Sequence, residues 1–173
     1  MMVLGLVLAA CTAKQDWMKR AIATEESNLT AQAKAGKADT NSLNSLLKKY
    51  EDYAAMYPAD TNGADYLFKA AEFYRYMRRP LRSIQLYDKI YTGYPTIARH
   101  PYALFLQGFM YENEVGNPHA AKIIYEKFLT EYPTHRMAKD VRITLANLGK
   151  TPEQLIQEFQ EKARQDSLAQ SKQ

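Results

Sequence analysis

The sequence predicts an all-α fold, an α-solenoid of antiparallel helix pairs with about three repeats and a capping helix. Three observations predict it. Tyr-Pro recurs at Tyr57-Pro58, Tyr94-Pro95 and Tyr132-Pro133, at intervals of 37 and 38 residues, inside the range of helical repeat units. Seven and four places before these tyrosines stand Tyr50 and Tyr53, Tyr87 and Ile90, and Tyr125 and Phe128, a spacing that lines one face of a helix. Thirteen places after each Pro stands a small residue, Ala71, Gly108 or Ala146, where two helices can approach closely. Composition agrees: 46% hydrophobic and 24% charged residues exclude a disordered chain, and seven Gly with seven Pro are too few for a loop-rich all-β protein. All 13 tyrosines lie between Tyr50 and Tyr132, which places the periodic element there.

Residues 1–10 form an uncharged apolar run. It falls far short of the roughly 20 residues that span a bilayer as a helix and fits the apolar region of a secretory signal. Residues 11–38 are polar. Trp17, Ala21 and Glu25 share one helical face, so a helix over 16–35 and an unstructured tether are both open readings. Gly36 breaks any helix there, and Asp39 or Thr40 offers the next N-cap.

The repeat domain covers 39–160. Each Tyr-Pro closes a second helix of a pair, because the residue before Pro is driven out of the α region. The first helix of each following pair carries Phe68, Phe105 or Ile143, then the small residue, then Tyr74, Tyr111 or Gly149. Pro80 and Pro118 suit a first helical turn, and Asn117 a cap. Leu148-Gly149 stops the last of these helices, and Thr151-Pro152-Glu153-Gln154 reads as a capping box. Leu155, Ile156 and Phe159 give the capping helix an apolar stripe. The polar tail, 161–173, is expected to fray.

This pattern resembles the tetratricopeptide repeat. Leu67, Ala70, Ala71, Tyr74, Ser83, Tyr87, Ile90 and Pro95 take the consensus places in one repeat. Leu104, Gly108, Tyr111, Ala121, Tyr125, Phe128 and Pro133 take them in the next, with one extra residue in its turn. The Phe-Leu-Thr-Glu-Tyr-Pro closing, Ala138 and the Leu-Gly stop resemble periplasmic tetratricopeptide lipoproteins. Those include the BamD-type subunit of outer-membrane β-barrel assembly and the CpoB-type coordinator of cell-wall synthesis and constriction. Leu8-Ala9-Ala10-Cys11 resembles the bacterial lipobox. That resemblance implies removal of 1–10, diacylation of Cys11 and, with Thr12 following, delivery to the periplasmic face of the outer membrane. The competing reading of Cys11 is an inert thiol in a buried apolar strand. A lone Cys excludes an intramolecular disulfide and a Cys-rich zinc site.

No catalytic constellation stands out. His100, His119 and His135 share no ligand spacing, and HExxH, CxxC, a Gly-rich phosphate loop and a GxSxG elbow are all missing. Glu112 and Glu114, two apart on a helix, read as solvated. A net charge of +4, with both signs interspersed, does not indicate nucleic acid. The expectation is a non-catalytic adaptor with no cofactor and no metal.

If the family geometry holds, a concave face carries Asp65, Phe68, Glu72, Arg75 and Tyr76 from one repeat, and Tyr102, Phe105, Phe109, Glu112 and Asn113 from the next. Such a groove receives a peptide or helix of another protein, and aromatic residues with Arg dominate binding hot spots. The competing reading packs Phe68, Phe105 and Phe109 between helices, while Arg75, Tyr76 and Tyr102 are expected outside. A second candidate is the basic turn of Arg75, Arg78, Arg79 and Arg82, which could hold an acidic partner. Its competing reading is a solvated turn with Arg favoured at a helix C-terminus. The resemblance implies an accessory in outer-membrane protein assembly, alternatively a cell-wall coordinator. A small envelope enzyme or its regulatory subunit is the reading from a different class.

Overall fold

The structure, a computed structural model, describes residues 2–37 and 39–170, with side chains from residue 12 onward. Those residues are helical almost throughout and contain no strand. The chain divides into two compact units, Met1–Ala103 and Leu104–Gln173. The first holds α1 (Met2–Lys34), α2 (Thr40–Met56), α3 (Asn62–Tyr76) and α4 (Pro80–Gly93); α5 (His100–Met110) contains the division. The second continues with a π-helical turn (Tyr111–Val115), α6 (Pro118–Glu131), α7 (Ala138–Asn147) and α8 (Pro152–Gln170). Within the first unit α1 packs on α2, α2 on α3 and α3 on α4; within the second α6 packs on α7. No helix among the described residues is long and apolar enough to cross a membrane.

The helix ends follow from side-chain chemistry. Asp39 caps α2, its carboxylate accepting from the backbone N–H of Asn41 at 2.8 Å and of Ser42 at 2.9 Å. Asn117 caps α6 by accepting from Ala120 N–H at 3.0 Å. Thr151 and Gln154 form the reciprocal capping box, at 2.8 and 3.3 Å. Pro80 and Pro118 occupy first turns. Tyr57, Tyr94 and Tyr132 end α2, α4 and α6 in one shared conformation, φ −128° to −131° and ψ 53° to 64°. The following Pro forbids a helical ψ there.

The −7 and −4 positions are the core. Tyr50, Tyr53, Tyr87, Ile90, Tyr125 and Phe128 are all buried. A buried phenol needs a hydrogen-bond partner, and the three −7 tyrosines find the same kind. Tyr50 donates to Glu26 at 2.6 Å, Tyr87 to Glu72, and Tyr125 to Glu112 at 2.7 Å. Burial raises all three phenol pKa values, and the facing carboxylates raise them further. Glu112 is therefore committed to a core tyrosine rather than solvated. Gly108 is the close approach its spacing predicts: a Cβ there would stand 2.6 Å from the Tyr125 ring. In the fourth repeat Ala146 and Ile143 are exposed instead. α7 is only ten residues long, and at Ala146 it packs no helix closely.

The stretch around Cys11 is helical and not a strand. Segment 16–35 is helical as well, but the face it packs is not that of Trp17. Ile22 is its buried centre, while Trp17 is 66% exposed. The docking is largely polar. Lys19 meets Asp60 at 2.8 Å, and Gln15 donates to Asp60 at 2.5 Å and to Tyr53 at 3.1 Å. Glu25 pairs with Lys49, and Glu26 takes Lys69 at 2.6 Å beside the Tyr50 hydroxyl. The segment expected to fray stays helical to Gln170, with every described residue from 161 to 170 exposed.

The extra residue of the third repeat lies in the π-helical turn. In the second repeat, Arg79 N–H, at the N-cap of α4, bonds back to Tyr74 C=O, five residues away, at 2.9 Å. In the third, Asn117 N–H, at the N-cap of α6, bonds back to the matching Tyr111 C=O, six residues away, at 2.8 Å. The intervening left-handed residue is Arg78 (φ 57°) in one turn and Gly116 (φ 69°) in the other. Only Gly adopts that conformation without steric cost.

Candidate protein-docking surface

Residues 65, 68, 72, 75 and 76 recur at helical spacing, so α3 carries them on one stripe opposite buried Leu67 and Ala70. The stripe is graded. Phe68 is 7% exposed and edge-on to Tyr87, with centroids 5.5 Å apart. Its other side stacks on Tyr102 at 6.4 Å and 16°, and the Arg99 guanidinium lies 5.5 Å from its centroid. Arg99 also reaches Asp65 at 3.5 Å. Tyr102 is 43% exposed. The first unit thus presents an Arg–Phe–Tyr platform whose inner ring is core and whose outer ring meets water.

At the far end of α3, Glu72 accepts from the Tyr87 hydroxyl and pairs with Arg75 at 3.3 Å. The Arg75 guanidinium lies 5.9 Å from the Tyr76 centroid, and Tyr76 is 74% exposed. Two carboxylates expected to line a groove thus have internal duties: Glu72 here, and Glu112 in the second unit.

Within the second unit Phe105 is half-buried among Phe109, Tyr125 and Phe128, with centroids 6.3, 5.9 and 6.4 Å away. Phe109 is half-buried too. Asn113 is exposed and donates to Phe109 C=O at 3.0 Å. Packing between helices therefore accounts for Phe68 and Phe105, while Arg75, Tyr76 and Tyr102 stand at the surface.

The four arginines are divided. Arg82 pairs with Glu51, donates to Gln85 at 2.8 Å, and lies 5.8 Å from the Tyr74 centroid. Glu51 also accepts from Tyr74 at 3.2 Å. With Arg75 on Glu72, the pair that points outward at the turn is Arg78 and Arg79. Sequence spacing missed Arg99 and Glu51. Arg99 has no matching charge at the corresponding places, Asn62 and Met137, so no periodic signal marks it; Glu51 does recur as Asp88 and Glu126, six places before each closing tyrosine.

Two of the histidines serve structure, and His119 is exposed. His100 stacks on Tyr91 at 4.7 Å with Nε2 2.8 Å from Tyr91 C=O, and His135 Nδ1 accepts from Met137 N–H at 3.2 Å. Among the described residues no group of three His, Cys, Asp or Glu is placed to hold a metal.

No curated protein and no solved structure matches the chain. A family model described as tetratricopeptide repeat matches residues 102–135, the span from Tyr102 through the Tyr132-Pro133 closing. Repeats of this kind are typically non-catalytic modules that bind other proteins.

Proposed function

We propose that the protein is a membrane-tethered adaptor that docks a segment of another protein on the outer surface of helix A, the first helix of a pair. The observation that carries this reading is the platform of Arg99, Phe68 and Tyr102, with Arg75 and Tyr76 at the surface toward the far end of α3. Aromatic rings held from behind by core packing lose little side-chain entropy on binding, and Arg and Tyr dominate hot spots. The second unit by itself offers a surface of similar chemistry in half-buried Phe109 and the face bearing Phe105 and Glu112. Residues 78 and 79 are a secondary, electrostatic contact.

The finer reading is a lipoprotein anchored through Cys11 on the periplasmic face of the outer membrane. Its role there is as an accessory in barrel assembly, like the BamD type. The lipobox-like Leu8–Cys11 supports the anchor; its side chains lie outside the described residues.

The test couples affinity capture, in a detergent that keeps lipids, to melting of the same variants. Tyr102→Ala and Arg75→Ala should weaken a docked partner by about 2 kcal/mol, near thirtyfold. Stability should fall by about 1 kcal/mol at most. Retention of every partner by both variants would remove the surface from consideration. Co-purifying barrel-assembly subunits support the assembly role, and cell-wall synthases redirect it. Palmitate-analogue labelling of wild type but not Cys11→Ala checks the anchor.

A further inference from the structure

The rotation of α1 about its axis is set by contacts. Gln15, Lys19, Glu25 and Glu26 face α2, the turn after it or α3, through Asp60, Tyr53, Lys49, Tyr50 and Lys69, and Ile22 is buried among them. The opposite face must then look away from the first unit. On it, exposed, stand Lys14, Trp17 and Arg20. At 100° per residue Lys14 and Arg20 flank Trp17 on either side, about 60° away, with exposed Ala13 and Thr24 between them and half-buried Ala21 marking the border toward α2. Asp16 lies at its edge. Trp17 is the chain's single tryptophan, and nothing in the first unit's packing needs it outside.

The same helix carries Cys11, the anchor point of the membrane-tethered reading, six residues before Trp17. Helical rise places Trp17 about 9 Å along the axis from residue 11. An amphipathic indole flanked by two cations is the chemistry of a bilayer interface, where Trp concentrates at headgroup level and Lys and Arg meet anionic headgroups. A helix lying tangentially, rather than standing upright, brings all three to that level.

We propose that the Lys14–Trp17–Arg20 face of α1 lies on the lipid surface, so that the membrane holds α1 sideways. This rests on the membrane-tethered reading but concerns the helix's contact with lipid and not the acyl chains. The lone Trp is its own reporter.

Protein lacking residues 1–10, the form the lipobox reading leaves, is mixed without acyl chains with vesicles of equal phosphatidylethanolamine and phosphatidylglycerol. The expected result is a blue shift of Trp17 emission and its quenching by brominated lipid. Trp17→Phe supplies the blank and should bind less tightly. Lys14→Gln and Arg20→Gln should each weaken binding to these vesicles about fivefold, with melting unchanged. Unshifted, unquenched emission from protein that floats with the vesicles overturns the proposal. Loss of palmitate labelling in wild-type cells would defeat the lipid tether instead. The vesicle result still stands in that case, because it is read from added protein without acyl chains.

Discussion

Tyr50, Tyr87 and Tyr125 each tie a second helix to a carboxylate on an earlier one, and the bond can be separated from the ring. Tyr87→Phe removes only the hydroxyl and should cost about 1 kcal/mol, since half-exposed Glu72 retains Arg75 and water. Tyr87→Ala should cost about 3–5 kcal/mol. Equal losses in denaturant titrations of the two variants would show that the bond, not the ring, carries the site. Arg78 offers the opposite sign. Its left-handed backbone costs about 1–2 kcal/mol, and Gly116 already fills the matching place. Arg78→Gly should therefore raise stability by about 1 kcal/mol, with unfolded-state entropy offsetting part of the gain; an unchanged or lower melting temperature would refute this. The tyrosines were legible because burial repeats with the period. Their acceptors were not: a glutamate at helical spacing looks the same whether it faces water or a phenol.

Helix α1 shows the same limit at the next scale. Ile22 is its one fully buried apolar side chain among the described residues, so hydrophobic periodicity had almost nothing to report and pointed to Trp17 instead. Charge holds it, and charge makes its docking sensitive to pH. Burial would raise the carboxyl pKa of Asp60, but bonds from Lys19, Tyr53 and Asn62 outweigh that and hold it far below the usual range. Glu25 and Glu26 are lowered in the same way by Lys49 and Lys69. Depressed values mean the contribution is complete above about pH 5 and is lost as pH falls through about 4 and below. Lys19 is shifted upward by Asp60, so its share is complete at neutral pH and is lost only above about pH 10. Amide exchange in α1 should be slow at pH 7, and its protection should begin to fall below about pH 4, ahead of that of α3 and α4, with Asp60 the last carboxylate to let go. Protection of α1 equal to theirs at pH 3 would contradict this account. Gly108→Ala, by contrast, should cost about 1–3 kcal/mol at any pH, because its methyl meets the Tyr125 ring.

For the molecule as a whole, the period announced how many helix pairs to expect and where each closes. It could not announce how the ends behave, because terminal helices have one neighbour fewer. α8 shows this: Ile156 and Phe159 are exposed, and from residue 161 to 170 every described side chain is in water. Glu, Gln, Lys, Ala and Arg favour the helix without burial. Truncation after Gln160 should thus lower helical content by circular dichroism yet leave stability within about 0.5 kcal/mol. A larger loss would mean the tail packs somewhere.

The π-helical turn has a consequence for how such chains change length. An inserted residue in a loop alters the path between helices. Here the surplus residue is enclosed in the ring closed by Asn117 N–H on Tyr111 C=O, and the Gly116-Asn117-Pro118 start of α6 is kept intact. Gain or loss of one residue within 111–115 becomes a change of helix winding, α to π and back, leaving the cap and proline that begin the next helix undisturbed. Repeats of 37 and 38 residues can therefore stand side by side and drift independently, and the end of helix A is where a lineage of such proteins would collect its insertions.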